Sequence, residues 1–341
     1  MCHFFPVRLI SYELTSQKSF HQDVNNSSMN KIMLKSIIFV ERITSLLLVV
    51  LSWAVRIKKN TTISKIIDDL DIELTCLKDK KCLIKLRRIS NAGIFMILIP
   101  LLIFIFFQFY FYGQLATQSI FGPTLVIFVV MVHFLRVTLI AVACQTVFKN
   151  TNDKILGAVQ RNDSSFKERL PDLRETHSKI NSIILDVNKV YNAFLLFSIG
   201  YLIIGIICGL YSPIGAMFQL KSFKMDSIEF LSYFITNLAY FALAALNLIS
   251  IFYHCGSAIL EGQRTADILL KLEMNIEDMR NCEELRNFRE ELMHARHVAF
   301  TVGGSYHINL RLLYEIVALT VAHLITMINF QLIVIEVNAW K

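Results

Sequence analysis

The chain has 341 residues, 55% of them hydrophobic and 26 of them Phe, with a mean hydropathy of +0.52. Such a composition excludes an ordinary soluble domain and describes a chain that meets lipid. The formal charge of +7 does not imply nucleic acid as a partner, because the basic residues are spread through the segments between apolar runs, where they orient helices.

Six apolar runs occur at 37–55, 92–112, 123–148, 193–217, 229–253 and 310–337. Each is close to or above the roughly 20 residues that a helix needs to cross the hydrocarbon of a bilayer. The runs are unbroken and do not alternate, so they lack the period of a membrane β-barrel. Backbone groups in lipid must be satisfied within the segment, which leaves helices. The predicted fold is all-α, a polytopic membrane bundle of six spans. Residues 1–36 form an N-terminal segment without the continuous apolar core of a cleavable signal peptide.

Lys and Arg are distributed unevenly. The segments 56–91, 149–192 and 254–309 hold 24 of the 34, and those three alternate connections should be cytoplasmic. The other two, 113–122 and 218–228, hold none and two (Lys221, Lys224), which predicts an exterior location for them and for the C-terminal tail. With six spans the N-terminal segment is then also exterior, where overlapping glycosylation sequons at Asn25 and Asn26 would be accessible.

The inner connections carry helical stripes. Ile180, Ile183, Ile184 and Val187 recur after Pro171, and Ile259, Ala266, Leu269, Leu270, Leu272, Ile276, Met279, Leu285, Phe288 and Leu292 recur between charges from 254 onward. They predict long amphipathic extensions that bury their stripes together as a collar below the bundle. The seven cysteines are an odd number and lie mostly in spans or inner connections, so no disulfide framework is expected. No metal-ligand spacing, Gly-rich phosphate loop or nucleophile–His–carboxylate arrangement is present. Neither an enzyme, a metal site nor a cofactor is expected.

Within this frame, residues 255–331 and one earlier span resemble the insect gustatory receptors. That family's signature in its final helix is Thr-Tyr, five mostly apolar residues, then Gln-Phe; the matching positions here are Ala322, His323, Asn329 and Phe330, with only Phe330 kept. The similarity extends through Ala266-Asp267-Ile268-Leu269, through Phe300 to Leu313 with its Gly303-Gly304 pair, and to Val190-Tyr191-Asn192-Ala193-Phe194 and Leu210-Tyr211. The family has seven spans, and the order of connections here matches helices two to seven, so the first helix is expected to be missing.

The resemblance implies a plasma-membrane receptor: a ligand-gated, non-selective cation channel subunit for taste, opened by a small-molecule tastant and assembled as a homo- or hetero-tetramer. By this reading 37–253 is the ligand-sensing bundle, 254–309 a cytoplasmic anchor, and 310–341 the pore-lining helix with a short exterior tail. Thr326, Asn329, Phe330 and Gln331 would line the pore, Phe330 as its hydrophobic gate, and Glu315 would stand at the cytoplasmic entrance, either luring cations or pairing with Arg311. At 100° per residue Thr320, His323, Met327 and Gln331 share a face; such polar groups equally serve as hydrogen-bond partners for neighbouring helices. Arg136, near the middle of its run, is expensive in lipid and is expected to face the bundle, either in a wet pocket with His133 or in a structural pair. Tyr211, Tyr233, Asn237 and Tyr240 are candidate walls for a ligand; single aromatics in spans also serve as packing or interface anchors.

Rival readings are an odorant-receptor-type channel, a G-protein-coupled receptor and a transporter. A G-protein-coupled receptor would place its C-terminus in the cytoplasm, against the charge bias. A transporter would be expected to carry clustered acids or paired broken helices at the midplane, and this chain offers one isolated Arg.

Overall fold

The computed structural model describes residues 43–55, 60–76, 84, 87–95, 98–99, 102, 106, 117–160, 166–219, 227–275, 283–294 and 298–339. In chain order these form α1 (Ile43–Val55), α2 (Asn60–Cys76), α3 over 87–95, α4 (Thr117–Gln160), α5 (Phe166–Gln219), α6 (Ser227–Asn275), α7 (Glu283–His294), a two-stranded hairpin of β1 (Thr301–Val302) and β2 (Tyr306–His307), and α8 (Leu310–Ala339). Helices fall on the apolar runs as expected, except that most of the 92–112 run lies outside the described residues. So does the expectation of a missing first helix.

Lengths matter most here. α4, α5 and α6 hold 44, 54 and 49 residues, or about 65–80 Å at 1.5 Å per residue, more than twice the hydrocarbon thickness. Each helix therefore continues from an apolar bundle into a charged collar without a break. The expectation that helix resumes after Pro171 is corrected: α5 starts at Phe166 and carries Pro171 as its sixth residue. That position lies past the four donors that have no intrahelical acceptor, so α5 forgoes one bond there, to the Lys167 carbonyl, near its N-terminal end. The 56–91 segment, read only as a basic connection, folds residues 60–76 into α2, whose Ile63, Ile66 and Leu70 are buried.

Two apolar cores result. The larger joins α1, α2, α4, α5, α6 and the hairpin, from Leu48 and Val126 to Phe300, Val302 and Ile308. The second is one part of the predicted collar, where Ile155 and Ala158 of α4 and Phe166 and Leu170 of α5 meet Leu269 and Leu272 of α6 and Leu285, Phe288 and Leu292 of α7, while the predicted stripe Ile180, Ile183, Ile184 and Val187 joins the larger core instead. A buried polar staple fastens α4 to α6 there. Asn152 Nδ2 donates to the Glu261 carbonyl at 3.0 Å and to its carboxylate at 3.2 Å, and Thr265 Oγ1 donates to Asn152 Oδ1 at 2.7 Å. Arg174 bridges to Glu291 at 2.6 Å and Glu284 at 3.5 Å, tying α5 to α7, while Arg289 pairs with Glu273.

Packing pairs fix the levels of the helices. His133 of α4 meets Tyr191 and Phe194 of α5, where the apolar run of α5 begins, and Phe148 meets His177 well inside its charged half. The second half of α4's apolar run thus lies beside the collar, covered by protein: Val137, Ala141, Val142, Cys144 and Val147 are fully buried.

Candidate functional site

The first cluster sits at the junction of bundle and collar. His133 is buried, its ring 4.5 Å from that of Phe194 and 5.8 Å from that of Tyr191, and its Nε2 is 2.9 Å from Ser52 Oγ of α1. Its Nδ1 has no hydrogen-bond partner among the described residues, and neither does Ser198 Oγ, fully buried one turn beyond Phe194 on α5. Buried polar atoms are nearly always partnered by protein or water, so these two mark where a water or a ligand's polar group would be held. Ser52 and Ser198 carry no signal in a single sequence.

Arg136 is more exposed than a residue turned wholly into the bundle, yet it adjoins His133 and Tyr191. The junction explains this: at the level of Tyr191 the charged half of α5 begins, and Lys189 is exposed nearby. Its guanidinium nonetheless lies close enough to the buried Tyr191 and His133 to act on both, so Arg136 stands at the edge of their cluster with its stem along the helix surface.

The second cluster lies deeper in the apolar bundle. Tyr240 and Asn237 of α6 are buried against α5 at Gly205 and Gly209. A Cβ at Gly205 would stand 2.2 Å from the Tyr240 hydroxyl, so the phenol occupies the space that the glycine leaves. Tyr211 is half-buried at the same end of α5. The side chains of Tyr233 and Gln331 lie outside the described residues. From the Gly205 contact to Phe194 the distance along α5 is eleven residues, about 16 Å, so the two clusters are separate. His133 and Arg136 do not join Asn237 and Tyr240 in one pocket.

α8 is built in another way. Asn309 caps it, accepting from the Leu312 N–H at 3.0 Å. Beyond its first turns it is uncovered: 11% of its most apolar window is buried, against 67% for α4. Ala322, His323, Thr326, Asn329 and Phe330 are all exposed on the single chain. Thr326 Oγ1 donates to the Ala322 carbonyl at 2.8 Å, a bond within its own helix, and Glu315 pairs with Arg311 at 3.2 Å. Thr320, by contrast, is buried. No group of metal-ligating side chains occurs among the described residues.

Four described helices are long and apolar enough to cross a membrane, with the shorter α1 beside them, so the architecture is that of a multi-pass membrane helical bundle. The model of the 7tm chemosensory receptor family matches residues 3–333, and the chain belongs to that family. Among solved structures it is similar to the insect olfactory receptor OR5 from Machilis hrabei in complex with eugenol: TM-score 0.60 and 10% identity, covering 91% of this chain and 92% of that one. At that identity the likeness concerns the fold. A comparison with curated protein sequences finds no match.

Proposed function

We propose that the chain is a subunit of a ligand-gated, non-selective cation channel that reports a small-molecule tastant. It sits in the plasma membrane with α8 lining the pore and the C-terminus outside. The observation that carries this reading is the uncovered α8. A span-length helix that leaves His323, Thr326 and Asn329 exposed is unsuited to lipid on every side, and polar and apolar faces are both used if copies meet around an aqueous axis. Four copies is the family expectation. Residues 37–253 then form the sensing bundle, 254–309 the anchor and 310–341 the pore.

Phe330 is the gate, Thr326, Asn329 and Gln331 are pore-lining, and Glu315 stands at the inner mouth. The ligand is received among Tyr211, Tyr233, Asn237 and Tyr240, with His133 at the inner end of the bundle and Arg136 at its edge. The taste class rests on the resemblance over 255–331, where the final-helix signature keeps only Phe330; an odorant-receptor-type channel is the second reading, favoured by the fold shared with the olfactory receptor.

The test is a C-terminal epitope tag read on intact and permeabilised cells, followed by whole-cell recording with sugars, alkaloids and eugenol. Labelling of intact cells together with a cation current supports the proposal. Labelling only after permeabilisation, with surface expression shown independently, overturns it.

A further inference from the structure

The hairpin that leads into α8 is held in an unusual way. Its first strand has one partner strand, through the Ile308 N–H to Phe300 carbonyl bond at 2.8 Å and the Thr301–His307 and Val302–Tyr306 pairs. The other edge is occupied by a side chain. Asn188 of α5 donates from Nδ2 to the Ala299 carbonyl at 2.6 Å and accepts from the Thr301 N–H at 3.0 Å, so its amide pairs with 299 and 301 as a third strand would. One turn on, Asn192 Oδ1 accepts the Gly304 N–H at 2.7 Å. One turn further, Leu196 lies 3.6 Å from where a Cβ of Gly303 would be. Gly303 and Gly304 have φ of +64° and +76°, a left-handed turn that seats the hairpin on this ridge. Five residues later Asn309 caps α8, with its Cα 3.4 Å from the Cβ position of Gly256 on α6.

The same short stretch of α5 faces the other way as well. Tyr191 and Phe194, which alternate with Asn188, Asn192 and Leu196, pack on His133, itself tied to Ser52 of α1. Residues 188–196 are thus a single rigid piece of helix with the junction cluster on one face and the foot of α8 on another.

We propose that Asn188 and Asn192 are positioning residues, a two-amide clamp that passes the packing state of the His133 cluster to the foot of α8. Its meaning for gating rests on the channel reading above; the mechanical coupling itself does not. A rigid element bonded to both sites is the physical requirement for such coupling, and its proof is non-additivity.

The test uses the full chain in lipid nanodiscs and follows amide hydrogen exchange over 298–313. Asn192→Ala is expected to speed exchange at Gly304 and in the first turn of α8 about fivefold, the factor matching one hydrogen bond of typical net worth. Asn192→Asp keeps the single acceptor that is used and should retain protection. Asn188→Asp loses the donor to Ala299 and should not. His133→Ala is expected to speed exchange over the same residues, and its combination with Asn192→Ala should fall well short of the product of the two factors. A product of the two, or Asn192→Asp behaving as Asn192→Ala, overturns the clamp. Should Asn192→Ala not purify as a folded protein, the contrast between the two Asp variants carries the same decision. If non-additive exchange is found in a chain that gives no current in cells, the clamp stands and the channel reading alone fails.

Discussion

His177 shows what a single buried titratable group does to the collar. Its ring lies between Phe148 at 4.7 Å and Phe288 at 5.8 Å, beside a cavity of about 30 Å³ lined also by Asn181, Gly262 and Gln263. Burial lowers its pKa to about 4, partly opposed by the Gly262 carbonyl and the Glu291 charge. The neutral ring is the one the fold accepts, and the unfolded chain binds the proton more readily. Stability tied to His177 is therefore complete above pH 6.5 and is lost as pH falls toward 4, by up to about 3 kcal/mol. Thermal unfolding of purified protein at pH 7.5 and pH 5 should show this loss, and His177→Phe should reduce it; an unchanged pH dependence in the variant would contradict the assignment. At the other end of the molecule, Phe330→Ala is expected to raise ligand-independent current if Phe330 is the gate. Unchanged basal leak at normal surface expression would count against that role.

At the scale of elements, the contact of α5 with α6 depends on glycine at one point and is indifferent to it at another. Gly205→Val would drive a branched side chain into the Tyr240 phenol, while a Cβ at Gly200 meets nothing within 4 Å. Overpacking of this kind costs about 1–3 kcal/mol, so Gly205→Val should lower the unfolding temperature and Gly200→Val should leave it nearly unchanged. Equal effects of the two would show that the crossing is not tight. The staple between α4 and α6 gives a second measure: Thr265→Val leaves Asn152 Oδ1 without its buried donor and should cost about 1–3 kcal/mol, read in the same assay. Helix positions were legible because apolar runs and 3.6-residue stripes are properties of the chain alone. Their levels were not. The run at 123–148 reads as one span centred near Arg136, whereas its second half is covered by collar helices. Hydropathy reports that a residue avoids water and does not say whether lipid or protein replaces it.

For the whole molecule, the proposed channel requires more than one copy. α4 buries most of its apolar window within the chain and α8 very little, and in the proposed channel other copies and lipid supply the cover for α8. Native mass spectrometry of detergent-solubilised protein should give a homo-oligomer, or a monomer that assembles only with a related subunit. A monomer that conducts unaided would overturn the arrangement. The final helix itself was legible as an apolar run interrupted by polar residues, and the structure leaves His323, Thr326 and Asn329 exposed on it. The asparagine clamp was not legible, because Asn188 and Asn192 look like ordinary polar residues near a helix boundary until the hairpin, over a hundred residues later, is folded against them. His133 stood out by residue type, but its Ser52 partner 81 positions away did not.

The buried second half of α4 also sets an order on the ribosome. Residues 134–148 belong beside the collar, and part of their cover comes from α6, including Gly262, whose Cβ position lies 3.2 Å from Phe148. That part of α6 is made over 100 residues after α4. At roughly 5–20 residues per second, about 5–20 s pass in which an apolar segment has been synthesised and its final neighbour has not. During that interval the segment needs a temporary cover, lipid or a chaperone, which α6 replaces once it is made, so the burial of α4 is completed late in synthesis.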